Sequence, residues 1–160
     1  MTRLSLVFDI FESPMGTLYI IAAGKSLCGI SFSKPHLIPR GKGAMAGRFM
    51  GELRSYFTGQ EVSFTPQLRF ISGTDFEKSV WAAIREIPFG ETRSYKWVAE
   101  KVGNPSAVRA VGRALGKNPI PIVVPCHRVI ESDGSLGGYS SGVERKRRLL
   151  DLEYFGKRQT

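Results

Sequence analysis

One cysteine stands beside a histidine in a setting that could support nucleophilic chemistry. Cys126 and His127 are followed by Arg128, and the only other cysteine is Cys28. A cysteine attacks as its thiolate, and cationic neighbours lower the pKa of a thiol, so this sequence favours a reactive Cys126. The alternative is an inert core thiol, because the apolar run 120–124 leads into Cys126 and a buried cysteine usually behaves as a small hydrophobe.

The spacing of the pair distinguishes it from a standard thiol protease. Residues 120–124 predict a buried extended segment, and adjacent side chains of an extended chain point to opposite faces. Contact between Cys126 and His127 would therefore need a turn or a bridging water. Thiol proteases bring their cysteine and histidine together from distant positions, and the other histidine here, His36, lies in a predicted loop.

Neither a disulfide framework nor a zinc site is expected. Two cysteines are too few for a disulfide scaffold in a chain of 160 residues. Cys28, His36, Cys126 and His127 are four residues of the types that bind zinc, but their spacing matches no standard ligand pattern. We therefore predict no bound metal and no cofactor.

The charge balance favours a polyanionic partner. The chain has 23 Lys and Arg against 14 Asp and Glu, a net charge of +9, which suits nucleic acid, with a membrane surface as the competing partner. No apolar run approaches the roughly 20 residues of a membrane span, and residues 1–11 lack the apolar block of a signal peptide. We expect a cytoplasmic protein that does not bind membranes.

The N-terminal half has the alternation and turns of a small antiparallel sheet. Strands are predicted at 6–11, 17–23 and 27–32, with turns at 13–16 and 24–26. The remaining segments of this half are a loop at 34–43, a helix at 44–57, an edge strand at 62–64 and a linker at 66–73.

The C-terminal half is predicted to be mainly helical. Thr74 and Glu77 form a capping box for a helix whose apolar face runs from Phe76 to Ile87. Ser94 can cap a helix at 95–102 and Ser106 a second one, which gives the layout of a helix-turn-helix. A glycine-containing loop at 134–142 and a helix at 143–155 complete the chain.

The second of these short helices has three distinct faces. Val108, Val111 and Leu115 are predicted to point inward, and Ala107, Ala110 and Ala114 form a small-residue stripe. The basic residues Arg109, Arg113 and Lys117 are spaced four apart. Small residues beside a basic stripe would let the helix lie close to a phosphate backbone or enter a groove. The alternative is a charged face that is simply solvated.

The sequence around Cys126 resembles the active-site signature of the O6-alkylguanine-DNA alkyltransferases. The matching residues are Pro-Cys-His-Arg-Val at 125–129, Gly-Gly-Tyr-Ser at 137–140, Asn118-Pro119, Arg-Ala-Val-Gly at 109–112, and Tyr95. The resemblance covers about residues 75–155; before residue 66 it is essentially the turn at 13–16. It implies an α+β fold, with a small N-terminal α/β domain containing an antiparallel sheet (1–70) and a mainly helical C-terminal domain (71–160).

The resemblance also implies catalytic roles. Cys126 would accept the alkyl group from O6 of guanine in a single turnover, and O4-alkylthymine is a further candidate substrate. His127 would take the proton of the thiol through a water, and Glu153 would orient His127. Asn118 would hold the turn between the recognition helix and the cysteine. Tyr95 would protonate the guanine ring.

Further roles concern double-stranded DNA containing O6-alkylguanine, which the protein is expected to bind as a monomer. Arg109 would fill the stack in place of the extruded nucleotide. The other DNA-binding residues would be Ser94, Ala107, Ala110, Arg113 and Lys117. The base pocket would be lined by Val129, Gly137, Gly138, Tyr139, Ser140 and Ser141. Many members of the family have Asn at the position of Gly138. A contact that this Asn side chain makes in the base pocket is therefore not expected here.

Two other functions stay open on the sequence. The first is a helix-turn-helix module that binds alkylated DNA without repairing it, against which the presence of Cys126 argues. The second is a cysteine hydrolase that uses Cys126, His127 and Glu153. That function would leave the helix-turn-helix and its basic stripe unexplained.

Overall fold

The N-terminal half is built on a four-stranded sheet. The computed structural model describes residues 5–43, 45 and 47–159. Strands β1 (Val7–Ser13), β2 (Gly16–Ala23) and β3 (Ser26–Ser31) form an antiparallel meander, and β4 (Gln67–Leu68) pairs in parallel with β3. Burial alternates along β2, as expected for a strand with one face on the core. The first turn uses Gly16, whose φ of 119° suits glycine.

The fourth strand lies outside the segment predicted for it. Residues 62–64 form no strand, because Phe64 instead packs against the rings of Phe49 and Tyr56. The predicted linker 66–73 contributes β4, which covers the edge of β3. An open strand edge exposes unpaired backbone groups, and here Leu27 O of β3 accepts a hydrogen bond from Arg69 N, directly after β4.

The helix of the N-terminal half, α1 (Arg48–Phe57), is shorter than predicted. Gly47 precedes it with a φ of 77°, which is incompatible with a right-handed helix, and residues 45 and 47 are in turns. The predicted start at Ala44 lies outside the described residues. The face of α1 that carries Phe49, Leu53 and Tyr56 is buried against the sheet and the C-terminal half.

The predicted helix-turn-helix arrangement is present in the C-terminal half. Helix α2 (Asp75–Ile84) begins at the predicted capping box of Thr74 and Glu77. Strand β5 (Arg93–Ser94) leads into α3 (Tyr95–Lys101), where Ser94 Oγ accepts a hydrogen bond from Trp97 N. Helix α4 (Val108–Gly116) follows after the turn at Gly103.

Three expectations about α4 are wrong. Ser106 does not cap the helix; its hydroxyl donates to Asn104 Oδ1, and Ala107 is the uncapped N-cap. Val108 is exposed, because it lies at the first turn beyond the contact with α2. Ala114 is buried against α2, where its carbonyl accepts from the indole N–H of Trp81, so it does not belong to an exposed stripe.

The segment that connects α4 to Cys126 is buried but not extended. Residues 121–124 form turns, with Ile122 in the left-handed region at φ 75° and Val124 N donating to Ile120 O. A short 3₁₀ turn, Cys126–Arg128, follows and leads into β6 (Val129–Ile130), which pairs in parallel with β5. The predicted extended segment was wrong because a short apolar run indicates burial but not backbone conformation.

The last helix, α5 (Val143–Arg158), joins the two halves of the molecule. Arg148 Nη2 donates to Pro14 O, and Arg145 Nε donates to Met15 O in the turn between β1 and β2. One apolar core runs through both halves. The division of the chain into domains at residues 70 and 71 stays a prediction. No helix in the described part of the chain is long and apolar enough to cross a membrane.

Candidate active site

Cys126 lies at a cavity between the two helices of the helix-turn-helix and the loop before α5. The thiol residue is 5% exposed, and the cavity has a volume of about 380 Å³. The lining residues are Tyr95, Val108, Arg109, Gly112, Leu115, Gly116, Cys126, Glu131, Gly138, Tyr139 and Ser140. The cavity therefore joins the predicted nucleophile to the predicted recognition helix.

Asn118 holds the chain between α4 and the cysteine. Its amide Nδ2 donates to Val124 O at 2.8 Å, and its Oδ1 accepts from Ile120 N at 3.0 Å. The two bonds close the turn segment on itself, and Ile30 N of β3 donates to Pro119 O at 2.9 Å. Because the polar atoms of a buried segment must be paired, a side chain with both a donor and an acceptor fits this place.

The carboxylate of Glu153 accepts hydrogen bonds from several buried groups. His127 Nε2 lies 2.6 Å from Oε2, and Arg128 binds both oxygens, through Nε at 2.8 Å and Nη2 at 3.0 Å. Tyr56 Oη donates to Oε2 at 2.6 Å, and Gly90 N donates to Oε1 at 3.2 Å. A buried carboxylate needs such partners to remain ionised.

The pKa values around this carboxylate fit a neutral histidine beside an ionised glutamate. Burial raises the pKa of Glu153, but the hydrogen bond from His127 and the hydrogen bonds and positive charge of Arg128 outweigh burial and hold it well below its usual range. Burial lowers the pKa of His127, and Glu153 only partly opposes this. His127 is therefore neutral near pH 7 and donates its Nε2 proton to Glu153, which leaves Nδ1 as an acceptor.

The thiol is protonated in the resting protein, contrary to expectation. Burial raises the pKa of Cys126, and this outweighs the opposing effects of Asn118 and of the positive charge of Lys146. The guanidinium of Arg128, expected to lower this pKa, is occupied by Glu153 and by Ile87 O. The thiol therefore needs a base when it reacts. The buried Nδ1 of His127 has no hydrogen-bond partner among the described residues and, on a neutral imidazole, can accept a proton.

Two tyrosines face the thiol side of the cavity. Tyr95 is the first residue of α3 and lines the wall, and burial raises its pKa. Tyr139 comes from the loop before α5, and its pKa is raised well above the ordinary value, first by burial and then by Cys126. Both phenols therefore keep their protons near neutral pH and can act as proton donors.

The predicted DNA-binding residues differ in exposure, and among them only Arg109 lines the cavity. Arg109 lines the cavity, and Arg109 and Arg113 are exposed on α4. Lys117 is exposed too, but it lies at the end of α4 and its Nζ is 3.5 Å from Glu77 Oε2. The small or capping residues Ser94, Ala107 and Ala110 are half-buried.

The predicted base pocket is only partly the wall of this cavity. Gly138, Tyr139 and Ser140 line it, and Val129, Gly137 and Ser141 do not. Val129 is fully buried in β6 opposite Arg93. Gly137 lies behind the ring of Tyr95. Ser141 faces a separate groove between β3 and the start of α5, because the loop turns away from the cavity after Ser140.

Two residues of the site went unnoticed in the sequence. Lys146 lies in a run of charged residues at the start of α5, yet it is fully buried and its Nζ donates to Gly138 O at 3.1 Å. Burial lowers its pKa to about 8. Its spacing from Leu149 and Glu153 places all three on one helical face, and this periodicity could have revealed it. Tyr56, 97 positions from Glu153, had no such signal.

No group of three or more His, Cys, Asp and Glu side chains could hold a metal ion in residues 5–43, 45 and 47–159. Cys28 is buried in β3, whereas His36 is exposed in the loop that follows. Because these two side chains lie in such different surroundings, the N-terminal half offers no built ligand set.

Models of one protein family match both halves of the chain. The 6-O-methylguanine DNA methyltransferase DNA-binding domain matches residues 75–155, and the ribonuclease-like domain of the same family matches residues 6–70. The chain belongs to the 6-O-methylguanine DNA methyltransferase family. The second match corrects the expectation that the resemblance is essentially confined to the C-terminal half.

Individual relatives agree with this family membership. The methylated-DNA–protein-cysteine methyltransferase of Methanosarcina barkeri is 45% identical over 154 residues, covering 92% of this chain and 97% of its own. The protein of that name from Mycobacterium bovis is 44% identical over 149 residues, covering 89% and 88%.

Solved structures of a relative share the whole fold. The crystal structure of Mycobacterium tuberculosis O6-methylguanine methyltransferase has a TM-score of 0.86 at 40% identity, and covers 94% of this chain and 93% of that chain. The M. tuberculosis protein OGT in complex with DNA has a TM-score of 0.87 at 41% identity, with 93% of each chain covered. The α+β fold predicted from the sequence is thereby confirmed.

Proposed function

We propose that this methyltransferase-family protein repairs DNA by moving an alkyl group from O6 of guanine onto Cys126, in one irreversible turnover. The observation that carries this proposal is the placement of the buried thiol at a cavity beside α4, next to a His127–Glu153 pair. Because Cys126 is only 5% exposed, a base stacked inside a duplex cannot reach the thiol, so the damaged nucleotide must be rotated out of the helix.

The transfer needs a proton acceptor for the thiol and a proton donor for the guanine. A water between the thiol and His127 Nδ1 carries the proton away from Cys126, and the thiolate attacks the alkyl carbon. The new S–C bond forms as the C–O bond breaks, and the electron pair goes to the guanine. Tyr95 donates a proton to the guanine ring, so that the base leaves as a neutral species, and proton exchange with water then neutralises the Tyr95 phenolate and the His127 imidazolium.

The basic face of α4 is proposed to bind the DNA itself. Extruding a nucleotide costs a few kcal/mol of stacking and pairing. Arg109, which is exposed and lines the cavity, would fill the vacated space and offset part of that cost. Arg113, Lys117 and the half-buried residues Ser94, Ala107 and Ala110 would hold the backbone against the protein. We further propose that the protein acts as a monomer in the cytoplasm.

Intact-mass measurement tests the proposal directly. The protein is incubated with duplex DNA that carries one O6-methylguanine, and its mass is then taken. We expect a stoichiometric and permanent gain of one methyl group, which peptide mapping places on Cys126. Binding without a mass change would identify a recognition module, and repeated release of the methyl group would identify a hydrolase. A duplex with O4-methylthymine, run in parallel, decides whether that base is also a substrate.

Replacing Arg109 with alanine is expected to slow repair of duplex DNA about tenfold or more, while the reaction with free O6-benzylguanine changes little. The free base needs no extrusion and therefore no residue to fill the gap. Single-turnover rates with both substrates give the comparison, and Arg85→Ala, another exposed arginine that does not line the cavity, is the control. Equal slowing with both substrates would contradict an extrusion role.

Replacing Gly137 with alanine is expected to slow transfer to both substrates by about 10- to 100-fold, the effect of displacing a reacting group by about 1 Å. A Cβ at Gly137 would come within 2.5 Å of Tyr95 Oη, so the phenol has to move. Gly134→Ala is the matched control, since Gly134 also has a positive φ but nothing within 4 Å of such a Cβ. Comparable slowing in the two variants would attribute the effect to backbone strain instead.

A further inference from the structure

A side chain from the N-terminal half reaches the proton-transfer network of the active site. Tyr56, on the last turn of α1, donates from its hydroxyl to Glu153 Oε2 at 2.6 Å. His127 Nε2 binds the same oxygen, also at 2.6 Å. Both tyrosine and glutamate are about 1% exposed, so water cannot replace this bond. The phenol and the imidazole therefore share one acceptor atom.

The hydrogen bond from Tyr56 completes the set of donors around the Glu153 carboxylate. Oε2 accepts from Tyr56, His127 and Arg128 Nη2, and Oε1 accepts from Arg128 Nε and Gly90 N. An ionised carboxylate offers about four lone-pair sites. These five contacts use them fully, so the carboxylate has a single orientation. Without Tyr56, Oε2 would lose one of its three donors, so the carboxylate would be oriented less firmly toward the imidazole, although Arg128 would keep the two in contact.

Tyr56 is held rigidly enough to act in this way. Its ring packs edge-on against Phe57 and Phe89, with ring centroids 5.3 and 6.2 Å away, and at a tilt against Phe64 at 5.8 Å. Burial and the negative charge of Glu153 raise the pKa of Tyr56 well above its ordinary value. The hydroxyl therefore stays protonated at all working pH values and remains a donor.

We propose that Tyr56 is a positioning residue for alkyl transfer, which acts through Glu153 to set the orientation and basicity of His127. The inference rests on the proposed function, because it assumes that His127 takes the proton of Cys126. It gives the N-terminal half a part in the chemistry: α1 supplies a hydrogen bond to the active site in addition to packing against it.

The proposal predicts a particular change in pH dependence. The charged or titratable groups that face this pair are Arg128 and Cys126 from the 3₁₀ turn, Lys146 from α5, Tyr139 from the preceding loop and Tyr56 from α1. Removing the Tyr56 hydroxyl leaves all the others in place and makes Glu153 a stronger acceptor. The pKa of His127 then rises, so the neutral imidazole that accepts the proton appears only at higher pH.

The test is the pH profile of the single-turnover rate in Tyr56→Phe, which keeps the ring and loses the hydroxyl. Tyr19→Phe is the control, because Tyr19 lies in β2 against Phe8 and its hydroxyl is not part of this network. We expect a rate about tenfold lower with both duplex DNA and free O6-benzylguanine, an acid limb shifted up by about half a pH unit, and unchanged DNA affinity. Tyr19→Phe should match the wild type.

A direct titration of His127 keeps the proposal testable apart from activity. In a Cys126→Ala background, the imidazole signals of His127 are followed by NMR against pH, with and without Tyr56→Phe. A higher pKa in the Tyr56→Phe protein supports the proposal. An unchanged pKa, or a slower variant with an unshifted acid limb and a lower Tm, would reduce Tyr56 to a packing residue. Failure of the wild type to gain a methyl group would contradict the proposed function. The titration would still show whether the Tyr56 hydroxyl sets the pKa of His127.

Discussion

Replacing Glu153 with glutamine is expected to lower the free energy of unfolding by about 3–5 kcal/mol, the usual cost of removing one partner from a buried ion pair. Arg128 is only 11% exposed and binds both oxygens of Glu153, so the variant leaves a nearly buried guanidinium without a counter-charge. The amide also cannot accept at both atoms from Arg128, His127, Tyr56 and Gly90 together. Urea unfolding measures the loss.

The same variant is expected to lose transfer activity by about 100-fold or more, the usual contribution of a positioned base. Without the carboxylate, His127 loses both its orientation and the charge that stabilises the imidazolium. Glu144→Gln is the matched control: Glu144 lies on the same helix, exposed, with a 3.7 Å ion pair to Arg147. A Glu153→Gln protein that unfolds at the wild-type urea concentration would show that the pair contributes no net stability.

The stability difference is also expected to depend on pH. The pKa of Glu153 is lowered on folding, so its contribution is complete above the unfolded value of about 4.3 and is lost as the pH falls below that value. Wild type and Glu153→Gln should therefore converge in acid. The same urea curves, measured between neutral pH and about pH 3, test this, and a gap that widens in acid would contradict the assignment.

The sequence predicted secondary structure best where the conformation depends on residues close together in the chain. The alternation along β1 to β3, the capping box of Thr74 and Glu77 and the cap at Ser94 all depend on residues within a few positions of one another. A short segment of sequence therefore contains the whole signal. The active-site cysteine was also within reach of sequence reasoning, because its neighbours at 125–129 form a compact motif.

The parts that escaped prediction depend on tertiary contacts. The connection from α4 to Cys126 looked extended, but its turns are closed by Asn118 bonding to Val124 O and Ile120 N. The charged neighbours of Lys146 in the sequence suggested a side chain exposed to solvent. In the structure Lys146 lies on the buried face of α5, and its Nζ donates to Gly138 O. The bond from Tyr56 to Glu153 joins residues 97 positions apart, and no local window contains both.

The sequence singled out Cys126, but it led to a wrong prediction for the pKa of the Cys126 thiol. The cationic neighbours of Cys126 suggested a lowered pKa, yet the folded protein raises it because burial outweighs them. Sequence neighbours do not report which charges are already paired: Arg128 is committed to Glu153. Under the proposed function, the thiolate forms with the help of His127 during the reaction, which gives the histidine–glutamate pair a larger part than the sequence suggested.

Replacing Cys126 with alanine is expected to abolish alkyl transfer completely and to leave DNA affinity close to that of the wild type. In the proposed function the thiol is the acceptor atom, so no residual route remains, whereas the basic face proposed to bind DNA belongs to a different element, α4. Removing one buried sulfur atom is a small change, so the Tm should fall only slightly. Intact mass after incubation with O6-methylguanine duplex measures transfer, and a salt-matched binding titration measures affinity.

Cys28→Ala is the control that makes this result decisive, because it removes the other thiol of the chain. Cys28 is buried in β3, where burial raises the pKa of its thiol, and it lines the separate groove between the two halves. We expect Cys28→Ala to gain one methyl group per molecule as the wild type does. A methyl group found on Cys28 of the Cys126→Ala protein would mean that the acceptor lies in that groove. Loss of DNA affinity in Cys126→Ala would mean that the thiol turn also positions α4.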